Sequence, residues 1–494
     1  METCLLDVIS QNRMISKSKD QINERRIKRH MKYFAGICLS IILLGTNQSV
    51  VAQEMLSYEQ FLEWVRFYHP VARQADINLR FGDQELLMAR GGFDPLLYGN
   101  YDNKDFNGTE YYDKREAGIV VPTMAGVELK GVFEQNSGTY LNPERTVLNN
   151  GLIAAGASVN LGQGLFIDQR RATLRQAEIY RELTQSERQL FLNDLFVETT
   201  ESYWDWATAY QNMLIFEESV ELAQIRLEAV KESYRLGDLP AIDTIEAFTQ
   251  VMNRTYRYQS SQIEFINATQ DLSTHLWDQD GEPMILAETV FPQNVLEPIE
   301  LPYDEITLRT LVNDHPVIRI TDFELASLGV ERRWRAEQLK PVVKISYNFL
   351  TESVGQFNES QFFENNYKWG FTISTPLFLR RERGGLGLTK AKIDFKQNDR
   401  DLKFVQLQAK LEAEINGFQI LGEQLNVFNA NIVGLERLLE GEQTRFRIGE
   451  SSLFLINARE VSVLDGRLTL NDLAAKRKIA YAKMLNAAGI GFIE

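Results

Sequence analysis

One long stretch of this chain occurs twice. Leu165-Phe166-Ile167 opens the first copy and Tyr234-Arg235-Leu236-Gly237 closes it, and Leu377-Phe378-Leu379 and Phe446-Arg447-Ile448-Gly449 do the same for the second. The offset is 212 residues at both ends, so the copies have equal length. Between the landmarks, apolar residues recur every three or four positions. Tyr203, Trp206, Tyr210, Met213, Phe216, Val220, Ala223, Leu227, Val230 and Tyr234 form the first stripe. Leu411, Ile415, Phe418, Leu421, Leu425, Phe428, Ile432, Leu435 and Leu439 form the second. A narrow stripe near a 3.5-residue repeat, with charge elsewhere, predicts rods that pack lengthwise on other helices. Some 70 helical residues reach roughly 100 Å, far more than a compact domain needs, so length itself has a use. Gly237 and Gly449 can take the left-handed conformation that stops a helix and reverses the chain. Return helices are predicted over 242–276 and 453–485, which makes each half a hairpin of antiparallel helices.

A second duplication precedes the rods. Leu62, His69, Pro70, Val71, Arg73, Asp76, Leu79, Pro95 and Tyr101 match Leu308, His315, Pro316, Val317, Arg319, Asp322, Leu325, Pro341 and Tyr347 at a constant offset of 246. Nine identities in one ungapped register indicate an internal duplication. The His-Pro pairs predict helix starts, because proline is well placed in a first helical turn. The two offsets differ by 34 residues, a surplus confined to the region between Tyr101 and Leu165.

That region is patterned with period two. Strands are predicted near 96–104, 112–121, 126–134 and 151–161. In the second half Val343, Ile345, Tyr347 and Phe349 alternate with polar residues, as do Tyr367, Trp369, Phe371 and Ile373. The polar segment 351–366 between these runs reads as a surface loop. Each run is long enough to cross a bilayer as a tilted strand, and each carries interfacial aromatics. A soluble β-sandwich could use the same alternation; the long helices beside it argue against that. The surplus is a folded insertion or a further hairpin, which leaves four or six strands.

Met31-Lys32, an apolar run over 33–45 and the small residues before Gln53 read as a signal peptide, with 1–30 preceding the natural start. The full chain has 53 basic and 68 acidic residues. Without residues 1–52, which hold eight basic and four acidic residues, 45 basic and 64 acidic residues remain, a net charge of −19. This argues against nucleic acid as a partner. Both cysteines, Cys4 and Cys38, fall in the leader, which removes disulfides and thiol chemistry. His69, His275 and His315 are the remaining histidines. The first and last are repeat-related helix starts, and no His/Cys cluster has metal-ligand spacing. Gly384-Gly385-Leu386-Gly387 lacks the ending of a phosphate loop and reads as the flexible start of a helix, and Asn107-Gly108-Thr109 reads as a turn. We expect no catalytic residues, no cofactor and no metal.

These residues resemble the TolC-like outer-membrane efflux proteins over nearly the whole chain, from about Ser57 to Gly489. The resemblance rests on the His-Pro helix start (more often Asn-Pro in the family), the Leu-Phe strand-to-helix junction and the Arg-x-Gly turn, each present twice in the same order. It implies a mainly α fold with membrane β-strands: long antiparallel helical hairpins plus a shared transmembrane β-barrel, in which each of three protomers usually gives four strands to a total of 12. It further implies a homotrimer in outer-membrane lipid, a periplasmic membrane-fusion adaptor and an inner-membrane pump, in tripartite efflux or type I secretion. Tyr234, Arg235, Leu236, Gly237, Asp238 and Leu239, with Phe446, Arg447, Ile448, Gly449, Glu450 and Ser451, fall on the family's adaptor-docking tip. Asp243 matches one acidic position of the family's aperture, and Glu246 lies one turn on. Leu455 and Ala458 stand where the second half often has acids. On this reading 1–52 is extension and signal peptide. The first repeat is 53–280, with a β region at 95–165 and a helical hairpin at 166–280. A linker follows at 281–303. The second repeat is 304–494, with a β-hairpin at 341–377 and a helical hairpin at 378–488. The competing reading is a periplasmic coiled-coil scaffold or adaptor that never enters the membrane.

Overall fold

The computed structural model describes residues 54–147, 150–287, 289–298, 301–351 and 366–492. The expected leader at 1–52, with both cysteines, and most of the expected loop at 351–366 lie outside the described residues. The chain begins with β1 (Glu54–Leu56), α1 (Tyr58–Tyr68) and α2 (Pro70–Gly91). Four strands follow, β2 (Leu96–Phe106), β3 (Thr109–Pro122), β4 (Val127–Ser137) and β5 (Leu152–Asn160). Then come α3 (Gln169–Leu236), α4 (Ala241–Ser273), β6 (Val290–Pro292), α5 (Glu305–Leu311) and α6 (Pro316–Glu337). The chain closes with β7 (Val342–Thr351), β8 (Tyr367–Ser374), α7 (Arg380–Arg447) and α8 (Leu453–Ala487).

The two rods are α3 and α7, each of 68 residues and so roughly 100 Å long. They start a turn later than the Leu-Phe landmarks. Asp168 caps α3 by accepting from the Arg171 amide, and Leu379, at φ 49°, precedes α7. The Gly384–Gly387 run lies inside the first turns of α7 and not ahead of it. Tyr234, the last residue of the expected stripe, is exposed, because the packed part of α3 ends near Val230.

α2 and α4 together flank α3, while α6 and α8 flank α7. The repeat-related side chains do the same work in both halves. Arg188 Nε donates to Asp76 Oδ1 at 2.6 Å, tying α3 to α2, and Arg400 donates to Asp322, tying α7 to α6. His69 and His315 are N-caps: their Nδ1 atoms accept from the amides of Val71 and Val317 at 3.2 and 3.1 Å. An accepting Nδ1 requires the neutral ring with its proton on Nε2, and His315 Nε2 is 3.2 Å from the Asn486 carbonyl, placed to donate.

α3 also touches α6 and α8, so it is covered on both sides, whereas α7 has neighbours on one side only. Sequence periodicity gave both rods similar stripes; burial separates them. α3 buries Leu183, Leu195, Phe196, Tyr203, Trp204 and Trp206 among others, while the buried apolar residues of α7 are Leu411, Ile415 and Ile432. Midway along the rods lies the main core, where Tyr203, Trp204 and Trp206 pack on Phe61 and Val65 of α1, with Leu272, Val295 and Ala474. A second core joins Phe196, Leu308, Leu411, Ile415, Tyr481 and Leu485. The linker is packed rather than free: β6 pairs in parallel with β1, and Val295 is fully buried.

Burial drives the His69 pKa down to about 4, helped by His275, and burial also lowers His275 and His315. The unfolded chain therefore binds more protons than the folded one below about pH 6.5. The stability these histidines contribute is full above that pH and is lost as pH falls toward 4. Thermal melts between pH 7 and 4 should show this loss. The double change His69→Asn and His315→Asn, which keeps a side-chain acceptor at each cap, should reduce it, leaving the share of His275.

Candidate functional site

The six-stranded sheet runs β2-β3-β4-β5-β7-β8, every pair antiparallel. The four expected first-half strands are all present, and the surplus forms a further hairpin, so this sheet has six strands among the described residues. The constant offsets align β2 with β7 and β5 with β8, which leaves β3 and β4 without counterparts. Asn107 and Gly108, at φ 55° and 69°, make the two-residue turn between β2 and β3.

The register sorts side chains onto two unlike faces. Leu97, Ile119, Leu129, Tyr347, Trp369 and Ile373 share one face, aligned strand by strand. That face is bare: Leu97 is 79%, Trp369 64% and Ile373 63% exposed. No second sheet covers it among the described residues, which rules out the sandwich. An apolar surface running across six strands has no place in water. The other face carries Lys114, Lys130, Lys344 and Lys368 against Asp102, Glu116, Glu128 and Glu134. With Lys104 opposite Tyr112 on the same face, its lysines outnumber these acids by one, so the acid excess of the chain is not on this face.

At the far end of the rods the hairpins turn. Gly237 and Gly449 have φ 85° and 78°, the left-handed region where a side chain is strained. The two turns meet through one small core, where Leu239, Leu453 and Phe446 join Ala223, Leu227, Val230, Ala247 and Val251. Around it the tip residues divide. Arg235 pairs with Glu232, Arg447 donates to Thr444 Oγ1, and Ser451 Oγ donates to Glu442 at 2.5 Å. The Asp238 and Glu450 amides donate to the Ser233 and Arg445 carbonyls and close the turns. Tyr234 and the repeat-related pair Leu236 and Ile448 are left exposed, the latter two at 64% and 65%. Asp243 sits in the first turn of α4, half-buried. Glu246 accepts from Asn457 Nδ2 of α8 at 2.9 Å and so joins the two hairpins. Leu455 and Ala458 are exposed, and no acid stands there.

Higher up is a clasp that sequence reasoning missed. Glu460 of α8 accepts from Arg226 of α3 and from Arg254 of α4, the latter at 2.5 Å. Arg254 also donates to the Ser219 carbonyl at 3.1 Å. Burial raises the Glu460 carboxyl, but the hydrogen bonds and charges of Arg226 and then Arg254 outweigh this and hold it below the usual glutamate range. Beside the clasp a cavity of about 580 Å³ opens between the hairpins. Its other arginines, Arg257 and Arg467, are already paired with Asp465 and with Glu218 and Glu436. No group of three or more His, Cys, Asp and Glu placed to hold a metal occurs among the described residues. No described helix is long and apolar enough to cross a membrane.

No family model matches the sequence, and no curated protein sequence matches it. Solved structures do match. The outer-membrane channel OprN is similar at TM-score 0.64 and 15% identity, over 88% of this chain and 90% of that one. The CmeC outer membrane channel of Campylobacter jejuni gives 0.61 and 13%, over 88% and 86%. The open state of the MtrE outer membrane channel of Neisseria gonorrhoeae gives 0.62 and 13%, over 90% and 94%. The resemblance to TolC-like proteins thus holds at the level of fold, a mainly helical channel fold with a β-sheet portion.

Replacing Glu460 with Gln leaves two guanidinium groups sharing a neutral amide. The change should cost about 3 kcal/mol, the low end for breaking a buried ion pair. Hydrogen exchange should quicken around residues 226, 254 and 460 and remain unchanged in the sheet.

Proposed function

We propose that this chain is one protomer of an outer-membrane exit duct. The observation that carries the reading is the sheet, bare and apolar on one face, polar on the other and open at both edges. β2 and β8 have no outer neighbour among the described residues. In lipid each unpaired backbone group costs several kcal/mol, so the sheet needs sister copies to close it. With six antiparallel strands, β8 of one copy meets β2 of the next in antiparallel fashion, and a ring closes without edges.

The helices support the same closure. The edge helix α7 exposes Leu388, Phe395 and Leu402 in seven-residue steps, then Ile420 and Val427. On the opposite edge α4 exposes Ile245 and Met252, then Tyr256 and Ile263, again seven apart. These are the unpaired halves of a helical seam. A ring of three, the number the resemblance implies, yields a barrel in the outer membrane over a periplasmic helical tunnel. Cargo moves passively, driven by an inner-membrane pump of tripartite efflux or type I secretion through a periplasmic adaptor. The adaptor docks on the glycine turns, with Leu236 and Ile448 as its apolar anchors among Tyr234–Leu239 and Phe446–Ser451. Asp243 and Glu246 belong to the aperture, where the Glu246–Asn457 contact and the Glu460 clasp hold the hairpins together. The three channels named above support this reading by sharing the fold. A scaffold that never meets lipid has no use for the bare sheet face.

Unheated gels should show a trimer in outer-membrane fractions that heating converts to monomer; recovery as a detergent-free soluble monomer would end the proposal. The double change Leu236→Asp and Ile448→Asp should abolish co-purification of the adaptor while leaving that trimer intact.

A further inference from the structure

We infer that the hairpin of β3 and β4 is part of the membrane wall, so that a ring of three copies closes an 18-stranded barrel, three times the six strands of one sheet. The inference rests on the exit-duct reading and adds the strand number and the bore. Barrel diameter grows roughly linearly with strand number, so the bore is about half again as wide as 12 strands would give.

The hairpin is integral to the sheet. β3 pairs with β2 from Leu96↔Val120 onward, and β4 pairs with β5 from Val127↔Val159 to Glu134↔Leu152. A wall of four strands would need β2 to pair with β5, and here two full strands separate them. Both inserted strands, of 14 and 11 residues, are long enough for a tilted crossing, which takes about 9–11. Their outward residues Ile119, Leu129 and Phe133 continue the apolar face of β7 and β8 without a break. On the polar face Tyr98 of β2 lies across Gly118 of β3, donates to Glu116 at 2.8 Å and faces Lys130 of β4. Three strands are thereby fastened side chain to side chain.

The hairpin has no helix of its own beneath it. Its helix-side turn rests on the start of α3, where Arg170 pairs with Glu128 at 3.7 Å and the Arg171 guanidinium lies over Gly126. Twelve long helical columns, four per copy, therefore carry 18 strands, and the barrel is wider than the tunnel that feeds it. The bore then sets no size limit on cargo. Sorting by size falls to the tunnel and its tip, and the lining that the insertion adds (Glu116, Glu128 and Lys130) is charge-mixed.

Single cysteines test this in full-length trimers whose Cys4 and Cys38 are replaced by serine. On β7 and β8, Lys344→Cys and Thr372→Cys should react with a membrane-impermeant maleimide about tenfold faster than Ile345→Cys and Phe371→Cys, as lumen and lipid positions alternate. The same contrast should hold in the insertion, with Glu116→Cys and Lys130→Cys fast, and Ile119→Cys and Phe133→Cys slow. Alternation on β7 and β8 with uniform reactivity on β3 and β4 would overturn the 18-strand wall and leave the duct standing. Loss of alternation everywhere would remove both. As a second readout, a short bis-maleimide should join cysteines at Tyr101 and Trp369 between copies, giving covalent trimers. Cross-linking of cysteines at Tyr101 and Ala157 within one copy would overturn the inference, since it needs β2 against β5.

Discussion

A backbone amide in hydrocarbon must find its partner within the protein, and under the proposed duct this requirement governs the sheet and its assembly. The sheet satisfies its own ladders through four internal strands and leaves two rows of donors and acceptors at β2 and β8. Neither row finds a partner among the described residues, because the sheet is a simple meander whose first and last strands lie at opposite sides. The helices meet the same difficulty in a softer form. α3 is covered on both flanks and α7 on one, so the apolar stripe of α7 is half used. In the proposed duct, lipid and sister copies answer different parts of one chain for one reason: exposed groups that water satisfies badly or not at all.

The equator shows how a rod of this length stays in register. Aromatic residues concentrate there, with Tyr58, Tyr203, Trp204 and Trp206 in contact and the Tyr203 hydroxyl donating to the Leu56 carbonyl at 2.7 Å. Above and below this belt the helices are held by thin stripes and by exposed ion pairs of small individual worth. Order is therefore pinned in the middle and at the sheet, while the turn end relies on one small core and on the Glu460 clasp. The proposed duct, which would open at the turn end, is well served by that gradient.

Much of this was legible in the sequence. Equal offsets exposed the duplication, and the structure repeats it down to the caps of His69 and His315 and the Asp76 and Asp322 ion pairs. Period-two patterning located all six strands to within a few residues, because each has one apolar face. The unequal burial of the rods was not legible, since α3 and α7 carry similar stripes and only tertiary neighbours distinguish them. The clasp was invisible for a related reason. Glu460 is one of three acids on α8, and its partners lie 234 and 206 residues away with no local spacing to betray them. The tip residues were named from resemblance, and geometry then separated the exposed Leu236 and Ile448 from neighbours engaged in holding the turn.

In the proposed ring the two seams of the helical wall are unlike surfaces, α4 on one side and α7 on the other, so each copy would join its neighbours head to tail. A subunit damaged on one seam keeps the other and can still be recruited. With equal amounts of sound and damaged chains, only about one ring of three in eight would be wholly sound under random mixing. Inheritance of such a lesion is then dominant, and its severity reflects the arithmetic of assembly more than the fate of any single copy.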